Sequence, residues 1–392
     1  MLSDRETRDY RLFVLATIFV ALGSCINSSI FNNYLKDVFD LDVARRTFLE
    51  FPRELPGFLV TFFVAGLALL GEVRIAMVAN LAASAGMLAL GWIPASFALM
   101  VCSTFIYSAG QHIYMPLGNA IGMSFAAKGR EGSVLGKLSS ISTIALLGGT
   151  LVLLALLKII GLSYKLAFSI GSILYLAAAA ALLAMSPRRA PGKARRLVIK
   201  RRYARYYAIS ILYGIRKQLF ITFGPWMLVD LFKQPVQTMT FLFLVISLVG
   251  IGVQPVVGRL TDRFGPKAVL GGEALVLIGV CVVYAFAPEL LPAGAALVVV
   301  SACYVVDQAA NAVGMARAVY VSQIAEDPAD VSPTLSLGIS IDHVMSMFIP
   351  MLGGLAWRSA GERGYRWVFL GGALVAAVNF VVTRGMARTH RA

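Results

Sequence analysis

Long runs without a single charged side chain constrain this chain more than any other feature. Leu12–Leu35, Leu138–Leu157, Leu166–Pro187 and Gln234–Gly258 contain no Lys, Arg, Asp or Glu, and Ile75–Ala127 is free of them throughout. A bilayer core about 30 Å thick is crossed by about 20 apolar helical residues. Each shorter run is therefore one crossing, and the longest holds two, hinged at Trp92-Ile93-Pro94. Only 14% of the residues are charged, against about a quarter in an ordinary soluble domain. The expected fold class is an all-α membrane protein.

Apolar runs broken at Gly, Pro and charge clusters predict twelve spans, near residues 11–33, 48–70, 74–93, 95–117, 137–158, 164–185, 205–230, 236–257, 267–287, 291–313, 334–357 and 366–385. The polar first ten residues precede a run too long for a signal peptide, so that run is expected to stay as the first span. Between Pro187 and Tyr206 lie Lys and Arg residues and no acid. This stretch divides the chain into a six-span half (1–185), a basic linker (186–204) and a second six-span half (205–392). With both termini cytoplasmic, that side carries more than twice as many Lys and Arg as the external side, as the positive-inside rule requires. The net charge of +15 is thereby read as membrane anchoring, with no nucleic-acid partner.

The connections are too short to hold a catalytic domain, and no metal-ligand spacing, nucleophile elbow or phosphate-binding glycine loop occurs, so no enzyme, metal or cofactor is expected. Cys25, Cys102, Cys281 and Cys303 all lie in apolar runs and read as small buried hydrophobes.

A charge at the bilayer centre costs about 2.5–3.5 kcal/mol, which singles out Arg53, Glu54, Arg216, Lys217, Asp307 and Asp342 inside the predicted spans. They must face a wet cavity or one another. Spans three, six and twelve lack such charges, and span nine has only Glu273 near its end; these four read as lipid-facing or structural. Polar stripes at helical spacing mark span one (Ser24, Asn27, Ser28), span four (Thr104, Tyr107, Ser108, Gln111, Tyr114) and span ten (Tyr304, Asp307, Gln308, Asn311). Arg216 and Lys217 point about 100° apart on span seven. They either orient an anionic solute or neutralise Asp307 and Asp342. Asp342, His343 and Glu54 are candidate proton carriers; His112 reads as an ordinary buried polar residue. The prolines of Phe51-Pro52-Arg53-Glu54-Leu55-Pro56-Gly57 suggest an irregular external start to span two, with a gate or a local Arg53–Glu54 pair as alternatives. The loop Tyr34–Thr47 reads as a solvated connector.

After span eight comes Gly258-Arg259-Leu260-Thr261-Asp262-Arg263-Phe264-Gly265-Pro266-Lys267. This resembles the cytoplasmic loop motif of the major facilitator superfamily, and the resemblance covers essentially the whole chain. By residue chemistry, Asp262 and Arg263 cap a tight turn, Gly258 and Gly265 permit close backbone approach and Lys267 sits at the water interface. The resemblance implies a gating role for these five residues, and two six-helix bundles around a cavity lined by spans one, four, seven and ten. The corresponding loop Gly71-Glu72-Val73-Arg74 lacks the Asp-Arg core, and Gly148-Gly149 stands without the Gly-Pro signature of drug/proton antiporters.

The expected function is secondary transport of a small solute by alternating access. In its sharper form Arg216 or Lys217 binds an anionic or zwitterionic metabolite while Asp307, Asp342 or Glu54 carries a coupling proton. The alternatives are drug efflux through an aromatic pocket of Phe220, Trp226 and Tyr304, and a receptor or assembly factor that does not transport. A monomer in a bacterial inner membrane is expected.

Overall fold

The computed structural model describes residues 3–39, 43–93, 96–186 and 198–386. Helices α1 (Asp4–Phe39), α2 (Val43–Gly66), α3 (Glu72–Trp92), α4 (Phe97–Met123), α5 (Glu131–Ile160) and α6 (Tyr164–Ala184) are followed by α7 (Ala204–Trp226), α8 (Val236–Phe264) and α9 (Pro266–Leu290). The tenth span is broken into α10 (Ala293–Ala310) and α11 (Gly314–Ile324), and α12 (Val331–Ser359) and α13 (Gly364–Arg384) complete the chain. These are the twelve spans expected, in two six-helix bundles. Most of the basic linker, residues 187–197, lies outside the described residues, as do 40–42 of the first loop, Pro94 of the span-three hinge and the last six residues.

Among the described residues nine helical segments are long and apolar enough to cross a membrane. The three remaining spans, α2, α4 and α7, fall short because they carry Arg53 and Glu54, the polar stripe of span four, and Arg216 and Lys217. Their charges are tolerated because Arg216 is buried against acids and Arg53, Glu54 and Lys217 are each ion-paired.

Several spans run beyond their expected ends, and two of the shifts change a reading. Helix α2 begins at Val43 and runs unbroken through Pro52 and Pro56, so the irregular start expected at Phe51–Gly57 is absent. A proline inside a membrane helix costs one backbone bond, which neighbouring groups can satisfy. The tenth span continues past 313 to Ile324, because the turn Asn311–Val313 tightens to a 3-10 helix without ending the helical path.

The chain gathers into two compact units: Met1–Ala127 with Lys137–Val198 and Glu326–Ser340, and Lys128–Gly136 with Ile199–Ala325 and Ile341–Ala392. In the first, α3 packs on α4 and α6, and α1 packs on α6. The second repeats the scheme, with α9 on α10 and α13, and α7 on α13. The repetition extends to the turns. Gly71 opens α3 at φ 78° and Gly265 opens α9 at φ 84°, a left-handed conformation that only glycine adopts without strain. Arg74 then donates to the Leu183 carbonyl at 3.4 Å, and Lys267 to the Met386 carbonyl at 3.2 Å, so in each half a basic side chain satisfies free carbonyls at the end of the sixth span. The loop that lacks the Asp-Arg core thus keeps its glycine turn and its basic cap.

Small residues set the closest helix crossings. A Cβ on Gly110 would lie 2.4 Å from the Ala79 carbonyl, and one on Gly86 would lie 2.4 Å from the Tyr107 nitrogen, so α3 and α4 meet backbone to backbone. Gly110→Ala should therefore destabilise the protein by about 1–3 kcal/mol. Gly118→Ala on the same helix, where a Cβ meets only the Tyr114 ring at 3.5 Å, should be near neutral. Unfolding midpoints in detergent decide, and equal midpoints for the two variants would refute the packing argument.

Candidate functional site

Arg216 sits on α7 with its side chain 4% exposed. A lone guanidinium there would be prohibitive, and the surrounding helices supply partners. Nη1 donates to Asp307 Oδ1 at 2.8 Å, and Nη2 donates to Asn311 Oδ1 at 3.1 Å. Gln308 Nε2 donates to the other Asp307 oxygen at 3.0 Å, and Asn311 Nδ2 to Gln308 Oε1 at 3.3 Å. The span-ten stripe is thus one hydrogen-bonded network around one cation. Tyr304, a turn earlier, instead packs its ring against Gly224 of α7.

Glu273 joins this group. It reaches from α9, its Oε1 3.5 Å from Arg216 Nη2 with both side chains almost fully buried, and no hydrogen bond reaches that oxygen. The reading of span nine as lipid-facing or structural is therefore corrected: its single acid completes the polar centre. Arg317 on α11 closes the group, its guanidinium 3.3 Å over the Tyr213 ring and within electrostatic reach of Glu273. It lies beyond residue 313, outside the tenth span expected from the sequence. An acid alone in an otherwise apolar span was the available signal for Glu273. Nothing in the order of residues distinguishes Arg317 from a topology anchor.

Lys217 forms a separate pair with Asp342 Oδ2 at 3.0 Å, the two side chains 20% and 11% exposed. Gly214 makes this possible. A Cβ there would lie 2.9 Å from the Asp342 carbonyl and from its Oδ1, so α12 approaches α7 at that point. Asp342 Oδ1 itself is buried without a hydrogen-bond partner. The two basic residues are thus engaged by Asp307 and Asp342, one of the two arrangements expected for them.

In the first unit, Arg53 pairs with its neighbour Glu54 at 3.2 Å, one of the two alternatives expected there. The Ser108 hydroxyl donates to the Arg53 carbonyl and lies 3.0 Å from His112 Nδ1. Gln111 donates to the Tyr175 hydroxyl, which lies 3.4 Å from that of Tyr107. Tyr175 belongs to span six, which the absence of charge had marked as structural. Tyr114 meets Thr17 of α1, and Asn27 Oδ1 is buried without a hydrogen bond. The aromatic trio does not converge: Phe220 is fully buried against Tyr284 and Phe369, whereas Trp226 is 52% exposed.

The motif loop is built around Asp262. Both its oxygens accept backbone hydrogen bonds at 2.7 Å, from Gly132 and Ser133 in the first turn of α5. The expectation that Asp262 and Arg263 cap their own turn is corrected. Helix α5 presents free N–H groups and the positive end of its dipole, a better partner for a carboxylate than the α8–α9 turn. Arg263 is exposed on the surface, over the Phe264 ring. Gly258 does permit close approach, since its Cβ would lie 2.3 Å from the Gly132 carbonyl, and Gly132 and Gly136 reciprocate against Gly258 and Gln254. Gly265 has open space around it and serves through its φ alone.

The Major Facilitator Superfamily model matches residues 12–334. No curated protein matches the chain by sequence. Among solved structures the chain is similar to the transporter FucP (15% identity, 97% of this chain and 99% of that one, TM-score 0.75) and to a bacterial homologue of the iron transporter ferroportin (14%, 98% and 100%, TM-score 0.75). The human organic anion transporter MFSD10 is also similar (12%, 97% and 100%, TM-score 0.71). Identities this low speak for the fold alone. With a family match over most of its length, twelve spans and a motif loop in the second half, the chain belongs to the Major Facilitator Superfamily and is an integral-membrane secondary transporter, not an enzyme.

Proposed function

We propose that the protein is a proton-coupled transporter of an anionic or zwitterionic metabolite, acting by alternating access, with residues 1–185 and 205–392 as its two six-helix halves. The observation that carries the coupling is the Arg216 cluster. One guanidinium holds Asp307 by a hydrogen bond and Glu273 only at ion-pair distance, and the Glu273 oxygen has no hydrogen bond. Glu273 is thus the less firmly held of the two acids. A proton on either acid loosens its hold on Arg216, which then turns fully to the other acid. Arg216 is thereby occupied with coupling, and solute recognition falls to Lys217 and Asp342, the more accessible pair. A zwitterion satisfies both, its carboxylate on the ammonium and its amine on the free Asp342 oxygen. The termini and the Gly258–Lys267 loop face the cytoplasm of a bacterial cell, and the protein works as a monomer.

The test is uptake into proteoliposomes of purified protein across a panel of anionic, zwitterionic and cationic metabolites, with and without an imposed proton gradient. Asp307→Asn should retain solute exchange without a gradient and lose at least tenfold of the gradient-driven accumulation. Accumulation equal to wild type would overturn the coupling role. Preference for lipophilic cations would overturn the solute class.

A further inference from the structure

Beyond the transported solute, we propose a second binding site, for a phosphate group with a hydrogen-bond donor beside it, in the cavity under the α8–α9 turn. This cavity of about 1600 Å³ lies wholly within the second unit. Lys128, Arg263, Lys267 and Arg384 line it against two acids, Asp262 and Glu131. Asp262 is already committed, each oxygen accepting a backbone amide of α5, so the field left in the cavity is positive. Arg384 is on the last turn of α13 and Lys267 on the first turn of α9, and both belong to ordered helices rather than to a floppy surface.

Two buried polar atoms in the lining ask for a ligand. Thr383 is 1% exposed and lines the cavity, yet its Oγ1 has no hydrogen-bond partner. A buried hydroxyl without a partner is unfavourable, and a phosphate oxygen beside Arg384 would satisfy it. Glu131 accepts from the Gly129 amide with Oε1 at 3.3 Å, while its Oε2 is buried and unpartnered. That oxygen can only accept, so the ligand brings a donor next to its phosphate. Ser322 and Gln323, at the end of α11, complete the polar wall. Phosphate is favoured over carboxylate because several cations converge on one volume, and a phosphate presents more oxygens to them. Two sources share this chemistry: a glycerol-bearing anionic lipid headgroup reaching in from the bilayer, and a phosphate free in the aqueous phase. Basic pockets between the ends of membrane helices are suited to the first.

The experiment uses the full chain in a phosphate-free, non-ionic detergent. Its unfolding temperature is followed against phosphatidylglycerol added to the micelles, and separately against inorganic phosphate, with chloride at matched ionic strength. Phosphatidylglycerol or phosphate should raise the midpoint saturably, the first identifying a lipid site and the second a soluble one. Thr383→Val keeps the shape and removes only an unpartnered hydroxyl, so its midpoint without ligand should match or exceed wild type, and its ligand affinity should fall about tenfold, the worth of one hydrogen bond to a charged group. Arg384→Gln should lose the response, and Arg384→Lys should restore part of it. The proposal is overturned if neither probe shifts the midpoint beyond chloride, or if Thr383→Val and Arg384→Gln respond as wild type. None of these readouts requires flux, so they stand or fall separately from the transport reading.

Discussion

Arg216→Ala is expected to cost the protein about 3–5 kcal/mol of stability, the penalty of leaving buried charge uncompensated, before any effect on transport can be read. Asp307 is 1% exposed and Glu273 3% by side chain, so neither reaches water when the guanidinium goes. Lys217→Ala should cost much less, because Asp342 at 11% exposure keeps some solvation. The triple variant Arg216→Met, Asp307→Asn, Glu273→Gln removes all three charges and should regain most of the lost stability, since a buried ion cluster and neutral groups of similar volume are often close in free energy. It should still carry no gradient-driven flux. Unfolding midpoints of the three proteins in one detergent make the comparison. An Arg216→Ala protein as stable as wild type would mean the acids are neutral or solvated, and the cluster would lose its place in the coupling scheme.

The second large effect is expected at Asp262. Each of its hydrogen bonds from α5 joins a carboxylate to a backbone amide, and such bonds contribute about 1.5–3 kcal/mol. Asp262→Asn keeps the size but presents one amide group where the second acceptor was, so one bond is lost and a donor faces a donor. The α5–α8 contact should then open more readily by about 2 kcal/mol, which is roughly a thirtyfold rise in opening. Hydrogen exchange of the peptide containing Gly132 and Ser133 reads this directly. Exchange should accelerate there and remain unchanged in α3, whose contacts do not involve the loop. Unaltered protection at Gly132 and Ser133 would show that the glycine crossing alone holds the two helices. Gly258→Ala tests that alternative, because its Cβ has 2.3 Å to the Gly132 carbonyl.

Helix number and class were legible because crossing a bilayer is a property of one segment at a time. About 20 apolar residues suffice whatever the neighbours do. The motif loop was legible for a similar reason, since Gly265 must adopt positive φ locally and a glycine states that in the sequence. Errors fell where a segment's fate depends on another segment. Pro52 and Pro56 looked like a helix boundary, yet the helix begins nine residues before the first of them and continues through both. Val313 looked like the end of the tenth span, yet α11 continues beyond the tight turn.

The candidate site divides in the same way. The sequence determined which residues are too costly to face lipid, and Arg216, Lys217, Asp307 and Asp342 all turn out to be paired. It also determined that Gln308 and Asn311 share a face with Asp307, because helical spacing alone decides that. Only the tertiary structure decided which acid meets which base, that Glu273 on α9 and Arg317 on α11 complete the cluster, and that Asp262 serves the start of α5 rather than its own turn. The physical reason is that desolvation cost attaches to a single side chain, whereas its compensation is set by distances of about 3–4 Å between helices far apart in sequence.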